Sequence, residues 1–262
     1  MQAKLSLWRF KNLSRFSEIQ HFVSARVGGA SHSPYDSFNL GFHVGDDAEA
    51  VLNNREALAL SLGVSCDDFV IGKQVHGRKV VVVSEDMRGR GARDFETAID
   101  AADAFVTDVL GVVPMVLVAD CVPVLLFDPK QKVVGVAHAG WKGTLKLIAK
   151  HMAEVLIEKF ECSPADIVVG IGPSLGPCHT EVGPEALREI RHVFGGDDSI
   201  VKNHSFFDMW EANKKQLLDI GILEKNIEIS GICTYCKSDR FFSARKSEGD
   251  TGRFGVGIFL RH

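Results

Sequence analysis

Three residues in this chain join reactive chemistry to a suggestive local context: His76 in KQVHG, Cys121 in VADCVP and His138 in VGVAHAGWKG. Each is ionisable and sits at the end of an apolar run. Each is also flanked by residues that turn the chain: Gly77, Pro123, and Gly140 with Gly143. Two imidazoles and one thiolate are zinc ligands. Three protein ligands leave a fourth position open, which is the arrangement in which a metal activates water. The three residues lie far apart in sequence and match no short zinc signature. Spacing alone therefore leaves two other readings open. One is a Cys–His dyad for nucleophilic catalysis. The other is a buried structural cysteine beside two histidines hydrogen-bonded to backbone.

Cys233 and Cys236 form C-x-x-C in CTYC. Such a pair is half a zinc site or a redox couple, but no second C-x-x-C is present to complete a four-cysteine site. It reads as two reduced thiols near a strand end. Cys178 and His179 are adjacent in IGPSLGPCHTEVG, where glycines and prolines indicate a loop that brings backbone N–H groups near a ligand. No GxGxxG is present there, so dinucleotide binding is unsupported. Arg55 lies in a helix soon after a long loop, Arg245 and Lys246 follow FFSA, and Arg253 lies in TGR. An arginine fork grips phosphate or carboxylate, though each of these taken singly reads as part of a solvated face.

The elements that must hold these residues follow from apolar patterning. Residues 27–47 are rich in glycine, serine and aspartate and read as a long ordered loop. A helix is predicted over Ala48–Leu62, with Gly63 as its C-cap. Strands are predicted at Phe69–Ile71, Lys79–Ser84, Ala104–Val106, Val113–Val118, Val122–Phe127 and Val133–His138. Their unbroken apolar runs indicate burial on both faces. A helix is expected over Thr144–Phe160, with Thr144 as N-cap, then a strand at Ile167–Ile171. Helices at Pro184–Phe194 and Asp208–Ile220 precede closing strands at Ile227–Cys233, Phe241–Ala244 and Phe254–Leu260. This order predicts an α+β domain with mixed sheets covered by helices.

The chain has 262 residues, 45% of them hydrophobic and 24% charged, which excludes a disordered chain and allows a sizeable core. A net charge of −4 argues against a nucleic-acid binder. The first residues, MQAKLSLWRFKNLSRF, have no apolar signal region. The stretch Leu110–Phe127 approaches the length of a membrane span, but Asp120, Pro114 and Pro123 interrupt it, and two buried strands fit better. Six dispersed cysteines and no secretion signal point to a cytoplasmic protein with reduced thiols. No exposed heptad or interface pattern is visible, so a monomer is expected.

Taken in order, SFNLGFHVGDD with the following NNR, KQVHG, VADCVPVLLFDP, GVAHAGWKGT, IGPSLGPCHTEV, CTYC and FFSARK…TGR resemble the YfiH/YlmD family. That family was long labelled multicopper polyphenol oxidase or laccase-like. The resemblance runs from about Phe22 to His262. It implies one YfiH-like domain over residues 1–262, with a four-layer α/β/β/α fold similar to the catalytic domain of cytotoxic necrotising factor. It implies that His76, Cys121 and His138 bind a metal, zinc or alternatively copper. It implies phosphorolysis of adenosine, inosine and S-methyl-5′-thioadenosine, and deamination of adenosine. Arg55, in the NNR segment, resembles an active-site residue of the family, and Arg245, in the SAR segment, resembles a substrate-binding one. Lys246, Thr180 and His43 depart from the common pattern.

The resemblance leaves three functions to separate. The first is a zinc-dependent purine nucleoside enzyme, with Cys121, His138 and Arg55 catalytic, Arg55 and Arg245 binding substrate, and a nucleoside and phosphate as partners. The second is an amidase that removes L-serine from mis-made UDP-MurNAc-L-serine at the same site. The third is a metal-binding protein with incidental activity. The chain has 10 histidines and no His-x-His pair, which argues against laccase chemistry.

Overall fold

Unbroken apolar runs decide the central strands. The computed structural model describes residues 5–262. In chain order these form β1 (Leu7–Trp8), β2 (Ile19–Ser24), α1 (Ala48–Leu62), β3 (Phe69–Val70), β4 (Val80–Val82) and β5 (Ala104–Thr107). Next come β6 (Val113–Val118), β7 (Val122–Asp128), β8 (Val133–Ala139), α2 (Trp141–Leu145), α3 (Ile148–Phe160) and β9 (Val168–Ile171). The last elements are α4 (Pro184–Val193), β10 (Val201–Lys202), β11 (Phe206–Phe207), α5 (Met209–Leu218), β12 (Ile227–Ile229) and β13 (Phe254–Leu260). Every residue of β6, β7 and β8 is buried, as expected of strands covered on both faces. The apolar stretch of 110–127 is therefore two strands. Among the described residues no helix is long and apolar enough to cross a membrane.

Two mixed sheets organise the α+β domain. The first has the order β1-β2-β13-β6-β3 and the second β12-β9-β7-β8-β5-β4. Parallel pairs stand at the edges, β3 with β6, β4 with β5 and β12 with β9, and the central ladders are antiparallel. One core lies between the sheets, where Val116, Val256 and Ile258 of the first meet Phe105, Leu125 and Val136 of the second. A second core joins α1, through Leu58 and Leu62, to Met115 and Leu117. A third lays Met152 and Leu156 of α3 and Leu217 of α5 on Val124, Leu126 and Ala137.

Local chemistry sets the ends of α1. Asp47 accepts hydrogen bonds from the N–H groups of Glu49 and Ala50, and Gly63 closes the helix at φ 73°, where a Cβ would be strained. The expected helix over Thr144–Phe160 is instead two helices broken at Leu147, whose φ is 58°. No glycine or proline marks this break, and a left-handed leucine costs about 1–2 kcal/mol. Thr144 is not an N-cap. It is buried in α2, where its Oγ1 accepts a hydrogen bond from Asn213 Nδ2 at 3.0 Å. Phe241–Ala244 runs from a bend through irregular chain into a turn, with Phe241 and Phe242 buried, so apolar content there does not signal a strand. Conversely, β2 forms from IQHFVS, whose polar residues hid it from a hydrophobic reading.

Candidate active site and metal centre

Strand register brings the first two site residues together. Across β7 and β8, Pro123 stands opposite His138 and Val122 opposite Ala139. Cys121 immediately precedes β7, so the ladder places its thiol beside the His138 ring. His76 arrives on the loop between β3 and β4 in a left-handed conformation, φ 57°. Asp103, fully buried just before β5, holds that loop. Its carboxylate accepts the N–H groups of Val75 at 3.2 Å, His76 at 3.0 Å and Gly77 at 2.8 Å. The Gln74 amide adds two hydrogen bonds to the Leu117 backbone, each 2.8 Å.

The three side chains form one cluster. His76 Nε2 lies 3.7 Å from Cys121 Sγ, and the donor atoms of His76, Cys121 and His138 all lie within 4.8 Å of one another. Zinc bonded to sulfur at 2.3 Å and to nitrogen at 2.0–2.1 Å in a tetrahedron separates such donors by about 3.6 Å, so the cluster has the donor set and spacing of a metal site. His138 Nδ1 meets Asp103 Oδ1 at 2.8 Å, which leaves Nε2 for the cluster. A carboxylate behind a ligating histidine is the usual way to fix its tautomer and raise its basicity. Gly140 is required here. A Cβ on it would stand 2.8 Å from His76 Cδ2 and 2.9 Å from Cys121 Sγ.

The electrostatics favour a charged pair. Burial pushes the Cys121 thiol up, but the positive charge and hydrogen bond of His138, with help from His76, bring it down to about 6. Burial likewise pushes His138 down, but Cys121 and Asp103 raise it to about 9. Burial opposes ionisation of Asp103, and the bonds from His138, Gly77 and Val75 outweigh it, so its carboxyl stays below the ordinary range.

The cluster opens into a cavity of about 860 Å³, within the range of small-molecule sites. Arg245 lines the same cavity, and so do Trp141, Arg253 and His43. Asp120, at φ 86°, pins this wall: it accepts Thr234 Oγ1 and the Arg245 N–H, each at 2.6 Å. Arg55 does not reach the cavity. It is 2% exposed, and its guanidinium donates to the carbonyls of Leu40, Gly91 and Ala92 while lying over the Phe42 ring. Its place is beneath the loop that carries His43. The sequence reading missed Asp103 and Trp141 and put Arg253 on a solvated face. Trp141 was signalled by its position directly after the HAG turn.

Comparison with known proteins settles the family. Residues 20–261 match the family described as multi-copper polyphenol oxidoreductase laccase. The solved structure of YfiH from Bacillus licheniformis superposes with a TM-score of 0.93 at 33% identity, covering 98% of this chain and 97% of that one. The chain belongs to the YfiH/YlmD family. Among its YfiH/YlmD relatives, "Purine nucleoside phosphorylase YlmD" of Geobacillus stearothermophilus is 38% identical over 236 residues, covering 88% of this chain and 86% of the relative. "Adenosine deaminase RL5", from an unknown prokaryotic organism, is 35% identical over 248 residues, covering 92% of this chain and 94% of the relative. Both relatives' names denote enzymes of purine nucleosides, and the laccase description contrasts with the single three-donor cluster in this chain's cavity.

Proposed function

We propose that this chain is a zinc-dependent purine nucleoside enzyme that phosphorolyses adenosine, inosine and S-methyl-5′-thioadenosine and deaminates adenosine. One observation carries the reading: a single cavity gathers a His–Cys–His donor cluster, two arginines and an exposed tryptophan. Its relatives' names supply the substrate class. We read the three stacked cores as a four-layer α/β/β/α domain spanning 1–262 and similar to the cytotoxic necrotising factor catalytic domain. We infer further that it works in the cytoplasm, a reading that its free cysteines support, and that it acts as a monomer.

His76, Cys121 and His138 would hold the zinc, which would supply a Lewis acid able to lower the pKa of water at this end of the cavity. Asp103 keeps His138 Nδ1 protonated and its Nε2 turned inward. Arg245 and Arg253 hold phosphate by charge-assisted hydrogen bonds. In phosphorolysis a phosphate oxygen bonds to C1′ while the glycosidic bond breaks and its electron pair leaves with the purine. Trp141 offers a flat face for the base. Deamination also needs a proton for departing ammonia. Asp120 is occupied by Thr234 and Arg245, so Glu248 is the other carboxylate on the cavity wall able to move it. Arg55, being buried, acts by fixing the loop above it.

The test is incubation of purified protein with adenosine and phosphate, with products separated by chromatography and Cys121→Ala run beside it. Adenine or inosine from the wild type alone supports the proposal. No product from folded, zinc-loaded wild type sinks it and turns attention to the serine amidase, assayed with UDP-MurNAc-L-serine, or to a binding role.

A further inference from the structure

A second group of metal-ligating side chains lies outside the cavity cluster. Cys178, His179, Cys233 and Cys236 place all four donor atoms within 4.8 Å of one another. We propose that these four residues form a second, structural zinc site. The Cys178 and Cys236 sulfurs are 3.8 Å apart. His179 Nδ1 lies 3.2 Å from Cys178 Sγ, 3.5 Å from Cys236 Sγ and 3.8 Å from Cys233 Sγ. Tetrahedral zinc with 2.3 Å sulfur bonds and 2.0–2.1 Å nitrogen bonds sets sulfur–sulfur edges of about 3.8 Å and sulfur–nitrogen edges of about 3.6 Å. The cluster therefore already has the dimensions of a Cys₃His site.

The fold builds this arrangement in. β9 and β12 are parallel neighbours, so the loops leaving their ends emerge side by side. The ladder continues past them as a bridge between Ser174 and Cys233, with Thr234 N–H donating to Ser174 O at 2.9 Å. One loop then delivers Cys178 and His179, and the other Cys233 and Cys236. Gly176 N–H donates to Cys233 Sγ at 3.4 Å, the kind of bond that stabilises a thiolate. The His179 ring stacks on Tyr235 with centroids 4.0 Å apart, which fixes the direction of Nδ1. Cys178 and Cys236 are exposed, so a metal ion can enter. Four protein ligands leave no open position, which is the mark of a structural zinc rather than a catalytic one.

The site has a task. Its two loops form one wall of the cavity: Leu175 N–H donates to Asp120 O at 2.8 Å, and Thr234 Oγ1 donates to the Asp120 carboxylate. A zinc ion tying the loops together holds Asp120, and Cys121 beside it, in place.

The experiment measures zinc by elemental mass spectrometry on chain produced in zinc-supplemented medium and purified under reducing conditions. Wild type should carry two zinc ions per chain. Cys121→Ala should keep one, and Cys178→Ser/Cys236→Ser should keep the other. One zinc in the wild type that the double variant retains overturns the proposal. Should the double variant fail to fold, Cys121→Ala loaded with cobalt decides: thiolate-to-cobalt charge-transfer absorption supports the site, and its absence defeats it.

Discussion

The chain holds two cysteine–histidine clusters built in opposite ways. The cavity cluster takes its donors from strand ends, through the β7/β8 register, and from a loop held by a buried carboxylate. It offers three donors and faces a space of about 860 Å³. The second cluster takes its donors from two loops at a sheet edge, and its four donors face one another. Three donors that leave a coordination position open suit chemistry, and four that fill it suit a clip. The contrast teaches that the number of donors and the space they face, more than donor type, distinguish the two arrangements.

The strongest way to break this contrast is Cys121→Ala. Nucleoside turnover should fall by a thousandfold or more, the order seen when a catalytic group is removed, while the melting temperature stays near that of the wild type. If turnover persists in metal-free Cys121→Ala, the cavity cluster is not the catalytic one. Asp103→Asn should follow with a loss of about 10–100-fold in zinc affinity or activity. The amide places an N–H₂ or a weaker acceptor where three backbone N–H groups and His138 now meet a carboxylate. A zinc affinity unchanged from wild type would show that Asp103 does not set the ligand.

The arginines sharpen the same division between positioning and contact. Arg55→Met leaves the carbonyls of Leu40, Gly91 and Ala92 without their buried donor, and should lower stability by about 3 kcal/mol in denaturant unfolding. Arg245→Ala should leave stability within about 0.5 kcal/mol. It should instead raise the KM for phosphate about tenfold or more, since one charge-assisted contact is lost. If Arg55→Met folds as stably as wild type and loses only phosphate affinity, the two assignments are reversed.

The sequence pointed to the three clustered residues because Cys121 interrupts an apolar run, His138 ends one and His76 stands just before one. The valine-rich strands were legible for the same reason. Asp103 was hidden because AADAF reads as an ordinary loop leading into a strand; only the fold turns its carboxylate toward His138. Arg55 was read as a ligand-binding residue because a motif carries no burial, and three carbonyl partners contributed by distant segments are invisible in it. The second cluster was half seen. CTYC and the adjacent Cys178–His179 were each noticed but not joined, because the parallel strand pairing that brings them together is not specified by periodicity. The break at Leu147 is marked by no glycine or proline in the sequence, and α3, which follows it, packs Met152 and Leu156 against β8.

The smallest effect probes the link between the two regions. Thr234 lies between the two cysteines of CTYC, and its hydroxyl donates to Asp120, the neighbour of Cys121. Thr234→Val keeps the shape and removes one hydrogen bond worth about 1 kcal/mol, so kcat/KM should fall about fivefold. Zinc content should not change, because no ligand is touched. A wall that is rigid without this bond would give wild-type kinetics, and the two clusters would then be independent. A loss of zinc with the activity would mean that the hydroxyl holds the second cluster together rather than joining it to the first. A small kinetic loss at full zinc occupancy is the result that only a mechanical link between the regions produces.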